Sequence, residues 1–385
     1  MRQAAIGALL LVAGAVCVVV GVLPVPTLLA LADRVVPVLA FVLGLTIVAE
    51  LAADAGVFDR LADLAARVGR GRTLGLWAAV VVLAVVCTVF LSIDTTAVLL
   101  TPIVIALARR VQLPPMPFAL TTVWLANTAS LLLPVSNLTN LLAVSRIGLA
   151  GPPAFAGLMA LPALAGVLVP CVVLLVVFRH RLRGGYAPPP VRRPEDRVFF
   201  VAASAVLAAL VVALTAGVTV WVAALAAAAV LVVVAAVRRP DVLRPARVPW
   251  QPLVLAAGLF VAVETLHAVG STDPLVRALH GGDGFGSLLG LAGAGALAAN
   301  GIDNLPAYLV LEPAAGNAAV RYAALLVGVN AGCLVTPWAS LATLLWHARL
   351  RAEGIALSWG RYAALGCVVA PLTVVAGVAA VLVAR

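Results

Sequence analysis

The chain has 385 residues, of which 64% are hydrophobic and only 10% charged, and its mean hydropathy is +1.18. A soluble domain carries about 25% charged residues, so this composition excludes a globular surface facing water and points to lipid as the solvent. The net charge of +10 comes from arginines gathered between apolar runs, the mark of cytoplasmic loops under the positive-inside rule rather than of a nucleic-acid partner.

Hydrocarbon admits only structures that pair every backbone polar group internally, which means helices or closed barrels. The apolar runs here are continuous rather than alternating, and this selects helices. Met1-Arg2-Gln3 and the apolar run after it resemble a signal peptide but lack a small-residue cleavage site, so an uncleaved first span over about 4–22 is expected, with a second over about 35–55. Residues 57–68, VFDRLADLAARV, read as an amphipathic helix on the membrane interface. Residues 73–108 carry arginine at both feet, which predicts a hairpin that enters and leaves on one side. An interrupted pass at 118–149 and a span at 158–178 lead to the polar stretch Arg179–Arg197, with six arginines, a glycine pair and three consecutive prolines. That stretch reads as a cytoplasmic linker. Spans at 198–216, 218–237 and 250–271 follow, then a second hairpin at about 284–320, an interrupted pass at 322–346 and a last span at 361–383. With the N-terminus and the linker in the cytoplasm, this order returns every basic cluster to the cytoplasm, including Arg238/Arg239/Arg244/Arg247 and Arg349/Arg351, and leaves the C-terminus outside.

The same motif order occurs twice. GLTIVAE at Gly44–Glu50 matches GLFVAVE at Gly258–Glu264, and Ile93-Asp94 parallels Ile302-Asp303. NTASLLLPVSNLTNLL (Asn127–Leu142) aligns without gaps on NAGCLVTPWASLATLL (Asn330–Leu345), a constant spacing of 203 residues. The helix bearing Glu50 runs inward and its match bearing Glu264 runs outward, so the repeat is inverted, an arrangement by which secondary transporters set a site near the bilayer midplane. The expected fold is an all-α polytopic membrane protein of two inverted-topology repeats, each with a re-entrant hairpin and a proline-broken transmembrane helix. The expected division is a first repeat at 1–178, a basic linker at 179–197, and a connecting helix with the second repeat at 198–385.

Polar groups at membrane depth are expensive and need a reason to be there. Asp94 and Asp303 stand at the two hairpin tips, in Ser92-Ile93-Asp94-Thr95-Thr96 and Asn300-Gly301-Ile302-Asp303-Asn304. Each would couple protons, although capping of the following helix is the plainer role. The broken passes carry Asn127, Ser136, Asn137, Thr139 and Asn140 around Pro134, and Asn330, Ser340 and Thr343 around Pro337. With Ser92, Thr95, Thr96, Asn300 and Asn304 these would line a site for a small polyhydroxylated solute or a weakly held cation. Bonding between helices is the alternative use of such groups. Glu50 and Glu264 come near helix ends, where snorkelling is open to them, and Glu312, Arg321, Arg146, His267 and His280 read as solvated boundary residues. The five cysteines are scattered singly through apolar stretches and read as small hydrophobes. No Walker motif, zinc spacing, dinucleotide fingerprint or catalytic triad occurs, so neither an enzyme nor a cofactor is expected. A non-transporting scaffold or receptor would have no use for doubled broken helices.

FLSIDTTAVLLTPIVIALARR with PFALTTVWLANTASLLLPVSNLTNLL, and GIDNLPAYLVLEP with VGVNAGCLVTPWASLATLLWHARL, resemble the arsenite permease ArsB family of the ion transporter superfamily over most of the chain from about residue 35. The resemblance implies export of arsenite and antimonite as neutral trivalent hydroxides in exchange for protons, from a bacterial inner membrane. It leaves open a soluble ArsA-type ATPase partner and a homodimer. A sodium/proton antiporter or an organic anion carrier on the same scaffold remains an alternative, though few cations stand near the tips to hold a dicarboxylate. The chain departs from the family pattern at Ile93, where Asn usually precedes the Asp, and at Asp303-Asn304, where paired Asn is usual.

Overall fold

The computed structural model describes residues 2–149, 151–243 and 249–384, so Arg244 and Arg247 lie outside the described residues. Among the described residues the architecture is helical, with one isolated β-bridge, Arg72 to Gly185. Eight helices among the described residues are long and apolar enough to cross a membrane.

The first repeat runs through α1 (Arg2–Val19), α2 (Val25–Asp54), α3 (Val57–Val68), α4 (Thr73–Leu91), α5 (Thr101–Arg110), α6 (Met116–Thr128), α7 (Leu138–Ile147) and α8 (Pro152–Phe178). A π-helical stretch, Thr95–Leu100, joins the α4 tip to α5, and two short 3-10 turns break the pass between α6 and α7. After the linker come α9 (Arg197–Thr215), α10 (Val220–Arg238), α11 (Trp250–Ala268), α12 (Asp273–Leu279), α13 (Phe285–Ile302), α14 (Asn304–Leu311), α15 (Ala319–Leu326), α16 (Leu341–Ala352) and α17 (Trp359–Val383). The hairpins are α4–α5 and α13–α14, and the broken passes are α6–α7 and α15–α16.

α2 begins ten residues before the expected span. The Asp33-Arg34 pair reads as a membrane boundary in sequence, but Arg34 is bonded to Glu312, so its charge can sit inside the helix. Glu312 and Arg321, expected to be solvated, are both buried. Arg321 donates to the carbonyls of Leu279 (2.7 Å), Gly282 (2.9 Å) and Ala314 (2.9 Å), and ties both feet of the second hairpin to α15.

The two repeats interlock reciprocally. α1 packs along α11 of the other repeat, and α10 packs along α2. The matched motif glycines make both crossings. A Cβ on Gly258 would lie 2.5 Å from the Gly7 carbonyl oxygen, and one on Gly44 would lie 2.7 Å from the Ala224 carbonyl carbon. Backbones this close tolerate no side chain, as in other tightly packed membrane helices. α8 and α17, the last helices of the two repeats, pack on each other.

On the arginine-rich face, α3 is more than an interfacial helix. Val57, Phe58, Ala62, Ala65 and Ala66 are buried, while Leu61, Leu64 and Val68 stay exposed. The linker lies over it. Arg110 donates to Asp63 Oδ1 (2.8 Å), the Arg192 amide donates to Asp63 Oδ2 (2.8 Å), and the Tyr186 amide donates to the Gly71 carbonyl (2.8 Å). Asp196 then caps α9, accepting from the Val198 and Phe199 amides and from Arg238. The Phe199 amide foremost, and Arg238 after it, hold the Asp196 carboxyl below the usual carboxylate range.

Candidate substrate cavity

Each hairpin turns on one residue with a positive φ that is not glycine: Ser92 (φ 120°) and Asp303 (φ 91°). Such conformations strain an L-residue and persist only where surrounding contacts fix them. Each tip is held by a hydroxyl from the break of its own repeat, from positions that do not match in the 203-residue alignment. Ser136 Oγ, in the first break, donates to the Val89 carbonyl (2.7 Å), and Thr336 Oγ1, in the second, donates to the Asn300 carbonyl (2.7 Å). The same spacing of 211 residues separates Val89 from Asn300 and Ser92 from Asp303. The structural partner of Asp303 is therefore Ser92, and Asp94 lies two residues further on, in the first turn of the second arm.

The tips meet the breaks around a cavity of about 670 Å³. Ser92, Asp94, Thr95, Ser136, Asn137, Asp303, Asn304 and Ser340 all line it, as do Thr46 and Glu50 of α2. Eight of the expected site residues thus share one chamber. The rest of the wall is apolar, from α2, the start of α11 and α16. Among the described residues no arginine or histidine lines the cavity. It extends along the C-terminal half of α2 and the N-terminal ends of α1 and α11, so it lies toward the arginine-rich face.

The two carboxylates differ. Asp94 is exposed to the chamber and has no hydrogen-bond or ion-pair partner among the described residues. Asp303 is half-buried, and its Oδ1 accepts from the Leu305 amide (3.1 Å), so it also caps α14.

Other expected residues stand behind the wall. Asn330 is buried at the π-turn Val327–Ala331 and does not line the cavity. Its Oδ1 accepts from Asn137 Nδ2 (2.6 Å) and Asn304 Nδ2 (3.4 Å), and its Nδ2 donates to Thr139 Oγ1 (2.9 Å). One amide of the second break thereby aims groups from the first break and one tip. Asn300 is fully engaged, with Nδ2 donating to the Ala296 and Gly332 carbonyls (2.8 Å each) and Oδ1 accepting from the Val335 (3.1 Å) and Thr336 (2.9 Å) amides. Asn140 Nδ2 is spent on the Ser130 (2.7 Å) and Leu133 (2.9 Å) carbonyls, and Asn127 Nδ2 on the Val123 carbonyl (2.9 Å). Thr96 bonds within the first hairpin, and Thr343 is buried off the cavity beside Tyr362. These five hold the breaks and tips in shape rather than facing the chamber. Glu50 and Thr46, both in the repeated GLTIVAE motif, were not among the expected site residues.

The family model described as Citrate transporter, CitMHS, matches residues 2–345. The chain belongs to the CitMHS family. It is 28% identical over 347 residues to the arsenical pump membrane protein of Escherichia coli (strain K12), covering 84% of this chain and 80% of that one. It is 24% identical over 331 residues to the putative arsenical pump membrane protein of Bacillus subtilis (strain 168), covering 74% of each. Among solved structures, the Alcanivorax borkumensis YdaH transporter, described as having an unusual topology, covers 92% of this chain and 86% of its own at 16% identity and a TM-score of 0.57. That likeness bears on fold alone, and it agrees with a membrane protein of two inverted repeats. CitMHS and ArsB-like proteins are transporters, and this chain is a multi-pass membrane transporter of the ArsB/CitMHS type rather than an enzyme.

Proposed function

We propose that the chain exports arsenite and antimonite, as neutral trivalent hydroxides, in exchange for protons across a bacterial inner membrane. The observation that carries this reading is an unpartnered Asp94 in a chamber with acidic, hydroxyl and amide groups but no arginine or histidine among its described walls. A citrate-like anion would bring negative charge to carboxylates with no cation to meet it, and an uncompensated charge at this depth is costly. A neutral triol has no such difficulty. Its hydroxyls donate to an ionised carboxylate and exchange hydrogen bonds with Ser, Thr and Asn groups. A protonated Asp94 loses that acceptor capacity, so proton and solute compete for the same oxygen atoms. Competition at one site open to alternate sides is exchange.

In this reading Asp94 and Asp303 carry the protons, and Ser92, Thr95, Asn137, Asn304 and Ser340 contact the solute. The N-terminus and linker face the cytoplasm, the C-terminus faces outside, and the chamber opens inward, all supported by the arginine clusters on one face. Co-purification tests a soluble ATPase of the ArsA type and a second copy of the chain as partners. The deciding experiment is arsenite accumulation in everted vesicles driven by a proton gradient. Sodium-dependent proton movement with no arsenite uptake would overturn the proposal in favour of an antiporter on the same scaffold.

A further inference from the structure

Outside the substrate site, ionic contacts join the two repeats. On the face away from the arginine-rich loops, Glu312 at the foot of the second hairpin is side-chain exposed by only 8%. Arg34 of α2 donates to both its carboxylate oxygens, with Nη1 to Oε2 at 2.9 Å. Tyr308 OH donates to Oε1 (2.9 Å), and Arg146 at the end of α7 lies 3.8 Å from Oε2. The cluster therefore joins α2 and α7 of the first repeat to α14 of the second.

Inverted repetition supplies a counterpart. The feet of the first hairpin and the end of α16 stand in the equivalent places on the arginine-rich face. There Arg109 Nη1 donates to Glu353 Oε2 (2.8 Å). The two contacts share one plan: the foot of a hairpin in one repeat is paired with the end of the broken pass in the other. They differ in burial. Glu353 is 32% exposed and Arg109 46% exposed, whereas Glu312 and Arg34 are 8% and 16% exposed, with Arg146 at their edge 55% exposed. The cavity lies on the side of the looser contact.

We propose that Glu312 with Arg34 and Arg146 forms a latch that holds the cavity shut toward the face opposite the arginine-rich loops, and that Arg109–Glu353 is the corresponding latch of the other state. In an inverted repeat the alternate state exchanges the conformations of the two halves, so opening to the opposite face requires the Glu312 cluster to part and the Arg109–Glu353 contact to close. Charge pairs with a buried carboxylate, such as Glu312 with Arg34, suit this duty. Parting them is costly while they are unhydrated, and once water enters the ions are stable apart. The contact is thus bistable, as a switching element must be.

The test is independent of substrate. A cysteine placed at Leu141, which lines the cavity, is probed with a membrane-impermeant maleimide in vesicles of both orientations, with the parent chain as the background for its own cysteines. Without the latch mutation, labelling is expected only from the arginine-rich face. Glu312→Gln, near-isosteric but uncharged, is expected to raise labelling from the opposite face at least tenfold, whereas Glu353→Gln leaves it at the unmutated level. Arg146→Gln, at a half-exposed side chain, keeps the test open if Glu312→Gln fails to fold, and is expected to raise opposite-face labelling severalfold. Unchanged sidedness in a folded Glu312→Gln protein, or in Arg146→Gln when the former does not fold, overturns the proposal. So does an equal rise in Glu353→Gln.

Discussion

Replacing Asn330 by Ala removes the amide that the first break and the second tip share. Asn137 Nδ2 and Asn304 Nδ2 lose their acceptor, and Thr139 Oγ1 loses its donor. All of these groups are buried to 9% exposure or less, and water replaces the lost partners poorly. Hydrogen bonds between membrane helices average about 0.6 kcal/mol and reach about 1.7, so three lost bonds amount to about 2–3 kcal/mol. For a chain of this length that corresponds to a fall of roughly 2–4 °C in the unfolding midpoint, read by thermal unfolding of the detergent-purified protein. The second consequence is functional. Asn137 and Asn304 line the cavity, and without Asn330 their amides are free to rotate away from the solute. Half-saturation for arsenite in vesicles should rise about tenfold, equivalent to about 1.4 kcal/mol of binding. Asn330→Asp, which keeps an acceptor for Asn137 and Asn304, should lose less of both. A midpoint within about 1 °C of the parent, together with unchanged half-saturation, would refute the reasoning that one amide orients the first break and the second tip.

Gly44→Leu and Gly258→Leu should each be destabilised by at least about 1–3 kcal/mol, because the new Cβ meets backbone at 2.7 Å and 2.5 Å. Paired effects of similar size in the yield of folded protein would reflect the reciprocal crossing, and loss at only one site would speak against it. Asp196→Ala should destabilise α9 at neutral pH. The folded carboxyl is held below its usual range, so its contribution is complete above the unfolded value of about 3.9 and disappears as pH falls through the lower folded value. The difference in unfolding midpoint between parent and variant should therefore shrink as the buffer is taken from pH 7 toward pH 3, and a difference independent of pH would refute the capping argument.

The inverted repeat was legible because lipid makes polar residues rare. Asn127, Pro134 and their matches at Asn330 and Pro337 stand out against leucine and alanine, and an ungapped alignment follows. The first hairpin was legible from arginine at both feet of one apolar stretch, and the second from its place in the topology and the repeat. The register of the tips was not. Apolar arms allow a slip of two residues at no cost in pattern, and the shared Ile-Asp dipeptide draws the alignment to Asp94. The positive φ shared by Ser92 and Asp303 at the ends of α4 and α13 corrects it to Ser92. Nor did composition separate Asn137, which faces the cavity, from Asn300 and Asn140, whose amides are spent on nearby backbone. That difference depends on where freed backbone groups point after a helix breaks. Glu312 was misjudged for a related reason: a carboxylate near a helix end reads as solvated until its partner, 278 residues away, is in view.

The corrected register bears on which carboxylate exchanges its proton. Perfect symmetry would give the two tips equal roles, but Ser92 stands where Asp303 does, and Asp94 has Leu305 as its counterpart. Asp303 spends one oxygen on capping α14, so part of its charge is already satisfied by the backbone. Asp94 offers both oxygens to the chamber. A group that alternates between a proton and a solute must have no third partner to hold it, and Asp94 meets that condition better. Asp94→Asn should therefore abolish proton-driven arsenite exchange with no fall in unfolding midpoint, since no bond within the protein is lost. Asp303→Asn keeps an acceptor for the Leu305 amide and should slow exchange without stopping it. If Asp303→Asn stops exchange and Asp94→Asn only slows it, the assignment is reversed and the capped carboxylate is the one that carries the proton.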